Sequence, residues 1–191
     1  MVKRRSSPPE YGRSMSAILL RDATPDDALC LGVLGMQVFL DTYATQGIRG
    51  SIATEVLEAF APQVMARLIA DPGISLLVAE SNQHLVGFAQ VKLNACHPMI
   101  EAPDVAELQR LYIQERFTGL GIGYQLLQAA EQCATLGGAS LLWATVWDGN
   151  ERALGFYPRR GYGLLGSPVY TFQGESHGNR LFVKALGVTA I

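Results

Sequence analysis

The sequence predicts an α/β (α+β) fold: one mixed, mostly antiparallel sheet of about six to seven strands with helices on both faces. Three observations carry this. Short apolar runs of strand length alternate with longer stretches of helical period. A tight polar turn, "SNQH", joins two of the apolar runs as an antiparallel hairpin. The chain has 191 residues, 49% hydrophobic and 17% charged, which suits one domain with a substantial core.

The elements follow in order. Residues 1–16, basic and rich in Ser and Pro, read as a disordered or added tail, with Met15 as an alternative start. The domain is expected over residues 17–187. "SAILLRDAT" reads as a first strand. "TPDD" then signals a helix start, with Thr24 as N-cap, Pro25 at the first helical position, and Asp26 and Asp27 in the first turn. That helix is expected to carry Leu29, Val33, Met36 and Leu40 on roughly one face. A second helix is expected over about Thr54 to Ile69, ending before "DPG". "ISLLVAE" and "LVGFAQVKL" form the hairpin, "NACHPMIEAPD" a loop, and "VAELQRLYI" the next strand.

After that strand, "RFTGLGIGYQLL" concentrates glycines and then turns into a helix with Ile122, Leu126, Leu127, Ala130 and Ala134 on one side. Gly137 is placed to cap it. "SLLWATVW" is a buried-looking strand, "NERALGFYPRRGY" holds a short helix, and the last segment makes a second hairpin. No repeat or composition shift marks another domain.

Several function classes receive no support. A net charge of −2 gives no electrostatic reason to expect nucleic acid. No apolar run reaches the roughly 18 to 20 residues that cross a bilayer, and the N-terminus does not resemble a secretory signal. The cysteines Cys30, Cys96 and Cys133 are scattered, without CxxC or metal-ligand spacing to His84, His97 or His177. A reduced, cytoplasmic protein without a structural metal is the expectation.

The glycine stretch lies between a strand and a helix. N–H groups at a helix start are unpaired and carry partial positive charge, so they bind anions, phosphates above all. Glycine admits positive φ and close backbone approach. Gly119, Gly121 and Gly123 therefore suit a phosphate cradle. No Lys-Ser or Lys-Thr follows, as a P-loop needs, and the third glycine of GxGxxG is missing. Taken alone, the stretch reads first as a strand-to-helix corner that binds nothing, and only after that as a module for nucleotides.

The second motif adds specificity. Asn150, Ala153, Phe156, Tyr157 and Gly161 stand in an NxxAxxFYxxxGY arrangement one strand after the glycines. Together the two motifs resemble the GNAT superfamily of N-acetyltransferases, with Thr118 at a position the family fills with Gln or Arg. "AELQRLYIQERFTGLGIGYQLL" and "LLWATVWDGNERALGFYPRRGY" look most like a bacterial branch that includes polyamine-type acetyltransferases. The resemblance implies a GNAT fold with a central V-shaped split that holds acetyl-CoA, and transfer of the acetyl group to a primary amine in a ternary complex. Acceptors within its scope are a small amine or polyamine, or a peptide amine. A non-catalytic acyl-CoA sensor on the same fold is the alternative, and a homodimer is compatible with the fold.

By that resemblance, backbone groups of Leu111, Tyr112 and Ile113, near a bulge, bind pantetheine and polarise the acetyl oxygen. The segment Arg116, Phe117, Thr118, Gly119, Leu120, Gly121, Ile122, Gly123 and Tyr124 holds the pyrophosphate, with Arg116 in reach of a phosphate. Asn150, Ala153 and Phe156 complete the cofactor wall. Asn150 bonds pantetheine or caps its helix, two compatible roles. Tyr157 is the general acid, protonated at neutral pH because phenols titrate near 10. Pro158 is expected to bend the short helix beside it.

Glu107 is the candidate base, or a solvated strand-end charge. Strict alternation would place it with Gln109, Leu111 and Ile113. By the same resemblance, Asp41 and Tyr43 at the end of the first helix fall on the acceptor wall, or are a plain helix terminus; Trp147 is expected near the cofactor or acceptor, and Trp143 in the core or at an interface.

Overall fold

The structure is a computed structural model that describes residues 17–172 and 175–187; the predicted tail at 1–16 lies outside them. In chain order the elements are β1 (Leu19–Asp22), α1 (Ala28–Tyr43), α2 (Gly50–Ala59), α3 (Pro62–Ala70), β2 (Ile74–Ser81), β3 (His84–Lys92), β4 (Val105–Ile113), α4 (Ile122–Leu136), β5 (Leu141–Trp147), α5 (Glu151–Phe156), β6 (Gly163–Gly166), β7 (Val169–Phe172) and β8 (Glu175–Ala185). The strands run β1-β2-β3-β4-β5-β8-β6 across one sheet, and β7 pairs β8. Every pairing is antiparallel except β4 with β5. The C-terminal segment supplies three strands where the sequence suggested a two-stranded hairpin.

The helix start at Thr24 forms as expected, through a 3-10 turn. The Thr24 N–H donates to Asp27 Oδ2 at 2.7 Å, and Arg21 donates to both Asp27 oxygens at 2.7 and 2.9 Å. The β2–β3 turn also forms as expected: Asn82 and Gln83 both take positive φ, as a two-residue hairpin turn that follows strand twist requires.

Two helical expectations are corrected. The stretch read as one helix is two, because Pro62 sets Ala61 in an extended conformation (φ −56, ψ 139) and restarts the chain. Helix α1 buries Ala28, Leu31, Gly32, Leu34 and Gly35, while Leu29 and Val33 are 62% and 60% exposed. The helix is apolar on almost every side, so period alone does not select a face. Close approach does. The Phe60 ring lies so tightly on Gly35 that a Cβ there would sit 2.3 Å from its Cδ1. Phe60 itself is fully buried, and burying such a ring contributes roughly 1.5–3 kcal/mol.

The sheet is covered on both faces. Leu31, Phe60, Met65, Val78 and Phe88 pack together on the α1–α3 side. Ile122, Leu126, Leu127, Ala130 and Ala134 of α4 pack on the other side against Ala89, Val91 and Leu142, as their spacing predicted. Strands β2 and β3 contribute to both clusters, which explains their unbroken apolar runs. Trp143 is in the core, with its indole N–H donating to Ala95 O at 2.8 Å.

Candidate active site

The parallel junction between β4 and β5 creates the site. It consists of three residue pairs, ending with Glu107 opposite Trp143. Beyond that point β4 stays with β3 and β5 with β8, so the sheet splits and the β4 edge from Leu108 onward loses its neighbour. The predicted V is this divergence. A cleft of about 670 Å³ opens there, within the size range of small-molecule sites.

One wall carries Leu111, Tyr112 and Ile113, the other Gly149, Asn150, Ala153, Phe156 and Tyr157. Phe117, Thr118, Gly119, Gly121, Gly123 and Tyr124 line the end between them, and Asp41 and Tyr43 at the end of α1 line the opposite side. Four expected contacts lie elsewhere. Arg116 and Leu120 point to solvent, and Ile122 is a core residue only 1% exposed. Trp147 lines a separate cavity that shares Tyr43 with the cleft.

The glycine corner has the geometry of an anion site. Gly119 and Gly121 take φ of +78 and +81, and a Cβ on either would meet nothing within 4 Å. Thr118 and Tyr124 N–H groups are already bonded, to Glu115 O and Gly121 O. Between them, the N–H groups of Gly119, Leu120, Gly121, Ile122 and Gly123 have no acceptor among the described residues. The unpaired run is thus narrower than the sequence suggested and centred on the start of α4.

Cationic side chains reinforce it, but from the second motif, not from Arg116. Arg152, Arg159 and Arg160 all line the cleft. Arg152 grips Glu115 across it, at 2.6 and 2.9 Å. The Arg160 guanidinium lies 4.2 Å above the Tyr124 ring and 5.5 Å from that of Phe156, and its buried Nε has no partner among the described residues. Open glycine faces, five free N–H groups and an orphaned guanidinium N–H fit a phosphate-bearing cofactor. Sequence reading missed Arg160, because its doublet also reads as an ordinary solvated turn.

Tyr157 stays in place despite Pro158. Helix α5 ends at Phe156, and the proline opens a separate 3-10 turn, so Tyr157 keeps helical φ and ψ and its N–H bonds Ala153 O at 3.3 Å. The ring stacks on Phe182 and meets Phe156 and Tyr162 edge-on. Burial, with Tyr43 nearby, pushes its phenol well above the ordinary value, so it remains a proton donor. Asn150 Oδ1 accepts from Ala153 N–H at 3.1 Å; its side chain caps the helix while it also lines the cleft.

Glu107 is displaced by a bulge. Gln90 pairs Arg110 and Val91 pairs Leu108, leaving Gln109 as the extra residue. The alternation shifts by one across it. Ala106 and Leu108 join the α4-side cluster before the bulge, Leu111 and Ile113 after it. Glu107 therefore shares its face with Arg110 and Tyr112, not with Leu111 and Ile113. At the apex of the split it lines neither cavity. Gln109 donates to it at 3.0 Å, and burial raises its pKa against the pull of Gln109, Lys92 and Arg110.

Comparison with known proteins agrees with this geometry. The acetyltransferase (GNAT) family model matches residues 43–162, from Tyr43 to Tyr162. An uncharacterized N-acetyltransferase in the pepI 3′ region of Lactobacillus delbrueckii subsp. lactis is 24% identical over 153 residues, 80% of this chain and 88% of that protein. The PaiA N-acetyltransferase of Thermoplasma acidophilum, solved with coenzyme A, superposes with a TM-score of 0.69 at 22% identity, covering 88% of this chain and 99% of that one. YncA of Salmonella typhimurium, solved with acetyl-CoA, gives 0.65 at 17% identity, covering 92% and 98%. With both motifs inside the matched segment and lining one cleft, the chain belongs to the GNAT acetyltransferase family.

Proposed function

We propose that the protein transfers an acetyl group from acetyl-CoA to a primary amine by direct attack in a ternary complex. The observation that carries this is the β4–β5 split, which joins a phosphate cradle at one end to a buried, protonated tyrosine within the same cleft. Acetyl-CoA supplies an activated acetyl thioester. The free N–H groups of residues 119–123, with Arg160, hold its pyrophosphate, and the unpaired β4 edge at Leu111 to Ile113 holds pantetheine and faces the acetyl oxygen.

As the amine nitrogen bonds to the acetyl carbon, the carbon–sulfur bond breaks. The Tyr157 hydroxyl gives its proton to the departing sulfur and is reprotonated from solvent. Asp41, which lines the cleft beside Tyr43, takes one proton from the ammonium nitrogen so that it can attack, since an alkylamine is largely protonated at neutral pH, and a second proton leaves that nitrogen to solvent as the amide forms. Glu107 acts at most through water from the apex of the split.

Calorimetry with acetyl-CoA, followed by thiol release against a panel of amines, tests the proposal. Micromolar binding and release with at least one amine are expected. Binding without release on a broad panel would favour the sensor reading, and absence of binding would overturn both.

A further inference from the structure

A second cavity, of about 280 Å³, adjoins the cleft, and Tyr43 lines both. Its walls carry four aromatic residues: Phe39 and Tyr43 from α1, Trp147 from the end of β5, and Tyr170 from β7. The Phe39 and Tyr43 centroids are 4.7 Å apart, those of Tyr43 and Trp147 5.7 Å. The Trp147 ring presses on Gly149 so closely that a Cβ there would fall 2.3 Å from it, and Gly149 lines the cleft. The Phe39, Tyr43 and Trp147 rings thus form a contiguous row, with Tyr43 facing both the cleft and the cavity.

Glu55 of α2 is the one carboxylate lining this cavity. It is half-buried, and among the described residues it has neither an ion pair nor a hydrogen bond. Arg49 and His177, also on the lining, have partners of their own. A partly desolvated carboxylate without a partner is unfavourable, and aromatic faces attract cations. Both features select the same ligand charge. A purely apolar body would desolvate Glu55 further, and an anion would be repelled.

We propose that this cavity receives a positively charged group at the far end of the acceptor. The enzyme then acetylates amines that carry one distal cation, with that cation among the four rings against Glu55 and the reacting nitrogen on the cleft side of Tyr43. One carboxylate and the small volume match a single cation on a short chain, as in a short diamine. The proposal rests on the acetyl-transfer reading above and makes Glu55 a specificity-determining residue.

The test uses matched acceptors: 1,5-diaminopentane, pentylamine, 5-aminopentanoate and 3-phenylpropylamine, with thiol release measured for the wild type and Glu55→Gln. The diamine is expected to exceed pentylamine at least tenfold in kcat/KM, mainly through KM, with the ratio falling towards one in Glu55→Gln. Equal or better use of pentylamine or phenylpropylamine, or a ratio unchanged in the variant, overturns the proposal. Diamine binding is read separately by quenching of tryptophan fluorescence. Binding that is lost in Glu55→Gln, without turnover of any amine, upholds the cation pocket while overturning acetyl transfer; neither binding nor turnover overturns both.

Discussion

The Tyr157 ring lies against Phe182 with centroids 5.6 Å apart and planes inclined by 20°. This stacking fixes the phenol at the cleft without using its hydroxyl. Tyr157→Phe should therefore keep the packing, shift Tm by no more than a few degrees and leave acetyl-CoA affinity intact. It should lower kcat by roughly 10²-fold or more, the usual scale of general acid catalysis. Because burial raises the phenol pKa, the protonated form persists to higher pH than in a free phenol. An alkaline limb near neutrality that vanished in Tyr157→Phe would contradict the assignment.

Parts of this site were legible in the sequence and parts were not, for identifiable reasons. The face of α4 was readable because its polar and apolar sides separate cleanly; that of α1 was not, because Gly32 and Gly35 rather than large residues meet Phe60. The glycines and Tyr157 were legible as local motifs with local geometry. The facing of Glu107 was not, since a bulge at Gln109 leaves no mark on an alternating pattern. Glu55, and the pairing of Glu115 with Arg152, depend on elements far apart in sequence.

Gly121 combines a conformational demand with a functional one. At φ +81 it begins α4, and open space surrounds its Cβ position, so alanine meets only backbone strain. Gly121→Ala should cost about 1–2 kcal/mol, measured by denaturant unfolding. Gly121→Glu should in addition bring a carboxylate to the phosphate cradle and abolish acetyl-CoA binding in calorimetry. Near-native affinity in that variant would show that the pyrophosphate rests elsewhere.

The Arg21–Asp27 pair makes stability depend on acid pH. Arg21 hydrogen bonds, helped by Thr24, hold the Asp27 carboxyl down from 3.8 to about 2. The folded-state pKa is depressed, so the stabilisation is fully present above the unfolded value, near pH 4. It is lost as pH falls through about 2. The shift corresponds to about 2 kcal/mol at neutral pH. Asp27→Asn should lose about that amount at pH 7 and show a flatter acid limb between pH 4 and 2. Equal slopes for variant and wild type in urea unfolding would place the acid sensitivity elsewhere.

Arg160 offers the sharpest test of where the phosphates lie. Its guanidinium is held 4.2 Å above Tyr124, yet its buried Nε has no partner among the described residues. A charged donor in that state gains most from an anion, and a charge-assisted hydrogen bond contributes about 1.5–3 kcal/mol. Arg160→Ala should weaken acetyl-CoA binding by about 10- to 100-fold, with a smaller dependence on salt than the wild type. Arg160→Lys keeps the charge but loses the planar stacking and the Nε donor, so its affinity should fall between the two. Tyr124→Leu removes the platform and should weaken binding while Arg160 remains present. Arg160 lies near the end of the second motif and Tyr124 just after the glycines of the first. A loss shared by both variants, with unfolding midpoints unchanged, would tie the two motifs to one phosphate. Affinity within threefold of wild type for Arg160→Ala would remove Arg160 from the cofactor site and leave the backbone N–H groups to hold the pyrophosphate alone.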